Sequence, residues 1–396
     1  MPLPLEGLKV IELGQLIAGP FAAKILAEFG ADVIKIESPI DGDPLRKWRM
    51  LHEGTSVWWA AHARNKRSVT LDLRQPEGPE VIRKLAVDAD ILIENFRPGT
   101  MEKWGLGFAD LHRINPRLIM LRVSGYGQTG PYRDRPGFGV IGEAMGGLRY
   151  LSGEPGRPPV RVGVSIGDTL SGLHGVIGVM MALRHRDQQS GLGQEVDVAL
   201  YESVFNMMES LLPEYSKFGA VRQPSGSSLP GISPSNAYLC RDGRYALIAG
   251  NGDSIFKRLM KTIGREDLAA DAQFANNEGR AEQAELLDIA ISAWTIQKDL
   301  DEILDLMEKS GVPAGRVYDA ADIANDAHYK ARNMLLQAEL PDKTKVTVSG
   351  IVPKLSLTPG EVRTPAPSLG QHTAEVLSAL GIDEETRLDW QRRQII

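Results

Sequence analysis

Short apolar runs closed by a glycine or an acid alternate along the first half of the chain with stretches of helical periodicity. Residues 8–13 (LKVIEL), 32–37 (DVIKIE), 69–73 (VTLDL), 89–94 (ADILIE) and 118–123 (LIMLRV) read as strands. Residues 20–29, opened by Pro20 and closed by Gly30, and residues 77–87 read as helices between them. Strands alternating with helices predict an α/β fold: a Rossmann-like, doubly wound and mostly parallel sheet. Residues 139–152 and 168–187 are helical in pattern and rich in small and apolar residues, which predicts central, close-packed helices. A strand at 195–199 and a helix near 200–219 follow. The run Leu173 to Leu183 is interrupted by His174 and glycines and is shorter than the ~20 residues that span a bilayer, so it reads as a buried helix.

Residues 222–236 (RQPSGSSLPGISPSN) lack apolar content and favour turns, marking a linker or active-site loop. Beyond the strand-like 245–249 (YALIA), the segment 253–326 reads as charged amphipathic helix. The expected organisation is a large domain begun by residues 1–224, a smaller α+β domain at 225–330, and a return to the large domain at 331–396. That return runs through β-like 345–351, a proline-rich stretch at 353–367 and helices at 372–380 and 383–391.

Charge narrows the partners. Across 396 residues, 45 Lys and Arg against 51 Asp and Glu give a net charge of -6, which argues against a broad nucleic-acid or membrane surface. An anionic ligand must then be held by local charges, and two clusters offer them: Arg46-Lys47-Trp48-Arg49, and Arg64-Asn65-Lys66-Arg67 with Arg74. Cys240 is the only cysteine, and the seven histidines show no ligand spacing, so no metal site is predicted. The segment Met1–Gly7 has no basic n-region, which predicts a cytoplasmic protein.

Three places have the setting that chemistry needs. The first strand-to-helix turn, Gly14-Gln15-Leu16-Ile17-Ala18-Gly19-Pro20, lacks both G-x-G-x-x-G and Gly-Lys-Ser/Thr. Despite Glu37 closing the second strand, neither NAD nor ATP is predicted as a cofactor. Asn95-Phe96-Arg97-Pro98-Gly99 follows the carboxyl end of a strand, where open α/β sheets place ligands. Asp168, framed by Gly167 before a long helix, reads from spacing alone first as an N-cap, and the same geometry also suits a carboxylate nucleophile. His174 reads as a core residue, and no Gly-x-Ser-x-Gly elbow is present.

The ordered motifs along almost the whole chain resemble family III CoA-transferases, the CaiB/BaiF group. They include L-x-G-x-K-V-I-E-L at 5–13, A-G-P at 18–20, F-G-A-D-V-I-K-I-E at 29–37, N-K-R-S at 65–68, E-N-F-R-P-G at 94–99, G-x-G-Q-T-G-P at 125–131, G-D at 167–168, G-V-P-A-G at 311–315 and L-G-Q-H-T at 369–373. The resemblance implies that Asp168 attacks an acyl-CoA thioester, forming an aspartyl anhydride and then an aspartyl-CoA thioester. CoA would be the only cofactor, as co-substrate, with no metal. Its contacts would come from Leu16, Leu71, Arg74, Asn95, Phe96, Lys103 and Leu200, with Ile17 facing the acyl group. A loop containing Gly250, Asn251 and Gly252 would cover the site, and two chains would interlock as a homodimer.

Two departures qualify that carry-over. Ser38 stands where formyl-CoA transferase places an arginine against adenine, and Phe138-Gly139 stands where it has a Tyr-Glu pair, so an auxiliary carboxylate beside the nucleophile is expected to be missing. A rival of the same fold is an acyl-CoA racemase, which needs Gly-His-Asp where this chain has Gly137-Phe138-Gly139; phenylalanine shuttles no proton. A non-catalytic acyl-CoA binding protein is the third reading. For a transferase, the related bacterial enzymes imply succinyl-CoA as donor and small mono- or dicarboxylates such as glutarate, itaconate, malate or oxalate as acceptors. Arg46 is the candidate contact for a distal carboxylate.

Overall fold

Six strands form one sheet: β1 (Lys9–Glu12), β2 (Asp32–Glu37), β3 (Lys66–Thr70), β4 (Ile91–Glu94), β5 (Ile119–Ser124) and β6 (Glu195–Ala199). Their order is β3-β2-β1-β4-β5-β6 and every pairing is parallel. The direction of winding reverses between β1 and β4, so the loops leaving their carboxyl ends part and open a crevice. Helices cover both faces. On one, α1 (Ala18–Glu28) and α4 (Ile166–His185) share a core with Val10, Ile93 and Leu121. On the other, α2 (Glu77–Ala86) packs with Ile11, Leu92 and Met120 and with Val376 and Leu377 of the helix Thr373–Ala379. The predicted doubly wound sheet is therefore present.

The protein is described by a computed structural model over residues 1–396. It divides into two compact units, one of residues 1–149, 161–220 and 329–396, the other of residues 150–160 and 221–328. The smaller unit has an antiparallel sheet of β7 (Ser235–Leu239), β8 (Tyr245–Ala249) and β9 (Ala314–Arg316), with helices packed on Tyr238, Ile248 and Phe256. β9 falls inside the segment 253–326 expected to be helical. The hairpin β10 (Leu335–Glu339) with β11 (Lys345–Ser349) belongs to the larger unit.

Two elements differ from expectation in ways that matter for the site. β3 starts three residues before the apolar run, because its first residues are charged yet inside: Lys66 Nζ lies 2.8 Å from Glu12 Oε2 and 2.8 Å from the Pro20 carbonyl. The helix α4 is not buried all round. Its glycines allow close packing, since a Cβ on Gly172 would sit 2.9 Å from the Ala18 carbonyl and one on Gly175 2.8 Å from Leu121. Its opposite face exposes Leu173, Ile177, Met180 and Met181. By length and composition α4 is also long and apolar enough to cross a membrane, although its small-residue face lies on the sheet.

The helix α3 (Gly139–Met145) and the helix α5 (Leu200–Phe205) complete the frame of the site. A Cβ on Gly142 would meet Leu200 Cβ at 2.8 Å and one on Gly146 would meet Val204 Cβ at 2.6 Å, so α3 lies on α5 through its small residues.

Candidate active site

The turn after β1 is locked to the loop after β4 by one reciprocal pair. The Gln15 N–H donates to Asn95 Oδ1 at 2.8 Å, and Asn95 Nδ2 donates to the Gln15 carbonyl at 2.8 Å. Leu16 is thereby held at φ 63, a left-handed conformation that a leucine adopts at a cost of roughly 1–3 kcal/mol and keeps only when its surroundings fix it. The fixing group is Asp43, whose Oδ1 accepts the Leu16 N–H at 3.1 Å and the Leu45 N–H at 2.8 Å. From below, Glu94 Oε2 accepts the Phe96 N–H at 2.7 Å while Glu94 Oε1 accepts from Arg122 at 2.7 Å.

Between these turns opens a cavity of about 200 Å³, lined among others by Ile17, Asn95, Phe96, Arg135, Asp168 and Leu200. A second depression of about 370 Å³ is lined by Ser38, Ile40, Leu71, Leu73, Arg74 and Trp104, and Gln15 and Phe96 border both. The two form one trough along the carboxyl edge of the sheet.

Asp168 is the third residue of α4, not its N-cap. Ser165 takes the cap position and its side chain makes no capping bond, so the capping role weighed for Asp168 is not the one it has. Its carboxylate instead lies against Gly139: a Cβ there would sit 2.3 Å from Asp168 Oδ2. Burial pushes the Asp168 carboxyl up to about 6, the nearby Glu143 carboxylate adds to the rise, and Arg161 opposes it. The expectation that no auxiliary carboxylate stands beside Asp168 is overturned. Glu143 supplies one from α3, a turn beyond the Phe138-Gly139 position, and it is 1% exposed.

Residues 5–373 match the family described as CoA-transferase family III. The chain belongs to that family. It is 47% identical over 397 residues, covering 100% of this chain and 98% of its relative, to succinyl-CoA–D-citramalate CoA-transferase of Chloroflexus aurantiacus. It is 35% identical over 391 residues, 97% of each chain, to succinate–glutarate CoA-transferase of Agrobacterium fabrum. Among solved structures, a CaiB/BaiF family protein from Brucella suis superposes with a TM-score of 0.85 at 35% identity, covering 96% of this chain and 100% of that one. The protein is thus a family III CoA-transferase, and the fold expected from the resemblance is the fold found.

The structure brings Leu16, Ile17, Asn95, Phe96 and Leu200 to the cavity of Asp168, and Leu71, Arg74 and Phe96 to the adjoining depression. Arg74 is exposed there and paired with Asp72 at 2.8 Å. Lys103 lies on the exposed side of the short helix Thr100–Lys103 and lines neither. Gly250, Asn251 and Gly252 follow β8 in the smaller unit, where buried Arg280 donates to the Asn251 carbonyl at 2.7 Å.

Arg46 does not face the cavity. Its Nε and Nη2 donate to the two oxygens of Glu37 at 2.7 and 2.8 Å, Nη1 reaches the Pro367 carbonyl at 3.2 Å, and the guanidinium stacks 3.8 Å over Trp59. With both carboxylate-binding edges occupied internally, no substrate carboxylate can use it. In the second cationic cluster Arg64 and Lys66 are internal in the same way, whereas Arg67 is part-exposed and Arg74 stands exposed at the second depression. Arg64 pairs with Glu28, Lys66 with Glu12, and Arg67 with Asp32 and Glu375. Arg64 and Lys66 hold the fold, which neither the ligand reading nor the reading as a solvated face anticipated.

The cations that do line the cavity are Arg97, which lies in the Asn95–Gly99 segment read as a ligand loop, and Arg133 and Arg135, which the sequence reading did not single out. Arg135 stacks 3.7 Å over the Tyr132 ring, which keeps its guanidinium presented. The pattern Arg133-Asp134-Arg135, one residue after G-Q-T-G-P in the loop that follows a strand's carboxyl end, was the available signal. Three possible metal ligands, His52, Glu53 and Asp342, cluster on the exposed surface, with His52 Nε2 2.8 Å from Asp342; they line neither depression.

Proposed function

We propose that this CoA-transferase moves CoA from succinyl-CoA to a small dicarboxylic acid, with Asp168 as the covalent nucleophile. The observation that carries the reading is the placement of Asp168 at one end of a trough whose other end is bordered by Arg74, Leu71 and Trp104. A thioester held along that trough presents its carbonyl at Asp168 and its nucleotide at the wider depression. Ile40, Leu73 and Trp104 supply apolar surface for adenine where Ser38 supplies none. The relatives named for succinyl-CoA and for dicarboxylates support the substrate class. So does the cavity, where three arginines accompany one carboxylate and fit a substrate with a second anionic end.

In the reading, Asp168 attacks the thioester carbonyl: a C–O bond forms, the C–S bond breaks, and the electron pair leaves on CoA thiolate. The thiolate then attacks the aspartyl carbonyl of the anhydride and releases the first acid as its carboxylate. The acceptor carboxylate reverses both steps. CoA is the only co-substrate, and the cycle uses no metal, membrane or nucleic acid. The enzyme works in the cytoplasm as a homodimer whose second copy covers the apolar side chains left exposed on α4 and beyond it, including Ile177, Met181, Phe205 and Phe218. Light scattering should then give twice the single-chain mass.

Intact-mass spectrometry after mixing with succinyl-CoA, with hydroxylamine or borohydride trapping, tests the nucleophile. A modification at Asp168 that is lost in Asp168→Asn is the expected result. A trapped adduct elsewhere, or transfer that survives the substitution, overturns it.

A further inference from the structure

We propose that Glu143 is a positioning residue, held by α3 one turn beyond Gly139, whose negative charge presses on Asp168 and favours its acylated state. The inference rests on Asp168 being the nucleophile and explains what in this chain drives it.

The geometry is that of a helix face. Gly139 and Glu143 are four residues apart on α3 and so share one side. That side meets the first turn of α4: Gly139 is against the Asp168 carboxylate, and a Cβ on Gly167 would sit 3.5 Å from Glu143 Cγ. Glu143 is buried, and its Oε1 accepts no hydrogen bond. Arg149 donates to Oε2 at 3.1 Å, and Arg161 stands 3.8 Å from Oε1. These two arginines are the cations nearest Glu143, and neither donates a hydrogen bond to Oε1. Of the groups around Asp168, Glu143 comes from α3 and Arg161 from the segment before α4, while Arg97, Arg133 and Arg135 line the cavity from the loops after β4 and β5.

Burying a carboxylate with no hydrogen bond to one oxygen is unfavourable unless something is gained. The gain here is differential. While Asp168 is a free carboxylate it faces a second negative charge across a glycine-lined contact. When its oxygen bonds to the acyl carbon, the negative charge departs with the CoA thiolate and residue 168 becomes neutral. The repulsion exists in the free enzyme and is absent in both the anhydride and the aspartyl thioester, so it favours each acylated state over the resting one.

Glu143→Gln keeps the shape and the Arg149 contact and removes the charge; Glu143→Asp keeps the charge. In the pH profile of kcat/KM for the acyl-CoA, the acid limb set by Asp168 should move down by half a unit or more in Glu143→Gln and stay in place in Glu143→Asp. The trapped adduct at steady state should fall several-fold in the glutamine variant alone. A limb that does not move in Glu143→Gln, or moves equally in both, overturns the proposal. Should Glu143→Gln fail to fold, Arg161→Met removes the opposing cation and must move the limb upward; an unmoved limb is the overturning result. The titration of Asp168 is also read without turnover, as the pH-dependent stability difference between wild type and Asp168→Asn in the Glu143 and Glu143→Gln backgrounds. That curve shifts if the charge coupling is real even when the adduct is found on another residue, so failure of the coupling and failure of the nucleophile give different results.

Discussion

Two buried carboxylate clusters lie along the same edge of the sheet and are built in opposite ways. Under the first turn, every acid faces a cation: Lys35 bridges Glu12 at 2.9 Å and Asp43 at 2.7 Å, Lys66 meets Glu12 at 2.8 Å, and Arg46 clasps Glu37. At the junction of α3 and α4, two acids are brought near each other, Asp168 against Gly139 and Glu143 against Gly167, and Arg149 and Arg161 stand on Glu143. The first arrangement fixes a backbone, holding Asp43 where it sets Leu16 in its strained turn. The second leaves a carboxylate short of partners, the condition a nucleophile needs. Compensation marks scaffold here, and its lack marks chemistry.

The largest break in that contrast is Asp168→Asn. It should reduce CoA transfer by about 10⁴-fold or more while CoA binding, measured by calorimetry, stays within a few-fold of wild type. Residual transfer near the wild-type rate would place Asp168 among the scaffold acids.

Next in size is the converse test on the scaffold. Arg46→Met leaves the buried Glu37 carboxylate without its bidentate partner and should cost about 3–5 kcal/mol in urea unfolding. Adding Glu37→Gln should recover much of that loss, because the uncompensated charge is gone and the Ser68 and Asp43 contacts to residue 37 have neutral donors. If the single variant unfolds like wild type, the cluster is not what holds the turn.

The sheet is more legible in the sequence than this contrast, for a physical reason. Apolar periodicity records which face of an element is buried, so five strands of the sheet lie where the runs predict, and only β3 is displaced, by the charges at Lys66 and Arg67. Charge carries no such record. Arg46 and Lys66 look like solvent or ligand contacts until Glu37 and Glu12, brought from other strands, are seen to meet them. Asp168 was legible through Gly167-Asp168 before a long helix and through the family motifs. Glu143 was not, because a carboxylate a turn beyond a glycine announces nothing until α3 is known to lie on the start of α4. The apolar face of α4 was misread as buried for a similar reason: an apolar composition does not say which face of a helix the rest of the chain packs against.

Gly139→Ala tests how closely the second cluster is fitted. A Cβ at that position would stand 2.3 Å from Asp168 Oδ2, and the carboxylate must turn away. Displacement of a reacting atom by about 1 Å costs on the order of 10²-fold in rate, so kcat should fall by that factor with the melting temperature little changed. Equal losses in kcat and in stability would mean that the glycine serves packing alone.

The smallest effect is on stability and follows from the sign of the Asp168 shift. A carboxyl whose pKa rises from 3.8 to about 6 on folding binds its proton more tightly in the folded state than in the unfolded one. Folding is unpenalised below pH 4, loses stability as pH rises through the window from 4 to 6, and carries the full loss above it. Two units correspond to about 3 kcal/mol at most, and partial solvent access at the cavity mouth reduces that to about 1–2 kcal/mol. Asp168→Asn, which cannot ionise, should therefore unfold at a higher urea concentration than wild type at pH 7.5 and at the same concentration at pH 4. The scaffold acid Glu37 gives the opposite pattern. Its carboxyl is held below the usual range by Arg46 against the upward pull of burial, so its stabilisation is present at neutral pH and fades as the solution is acidified. Opposite slopes for Asp168→Asn and Glu37→Gln against pH would separate the two clusters in one experiment, and slopes of the same sign would erase the distinction between them.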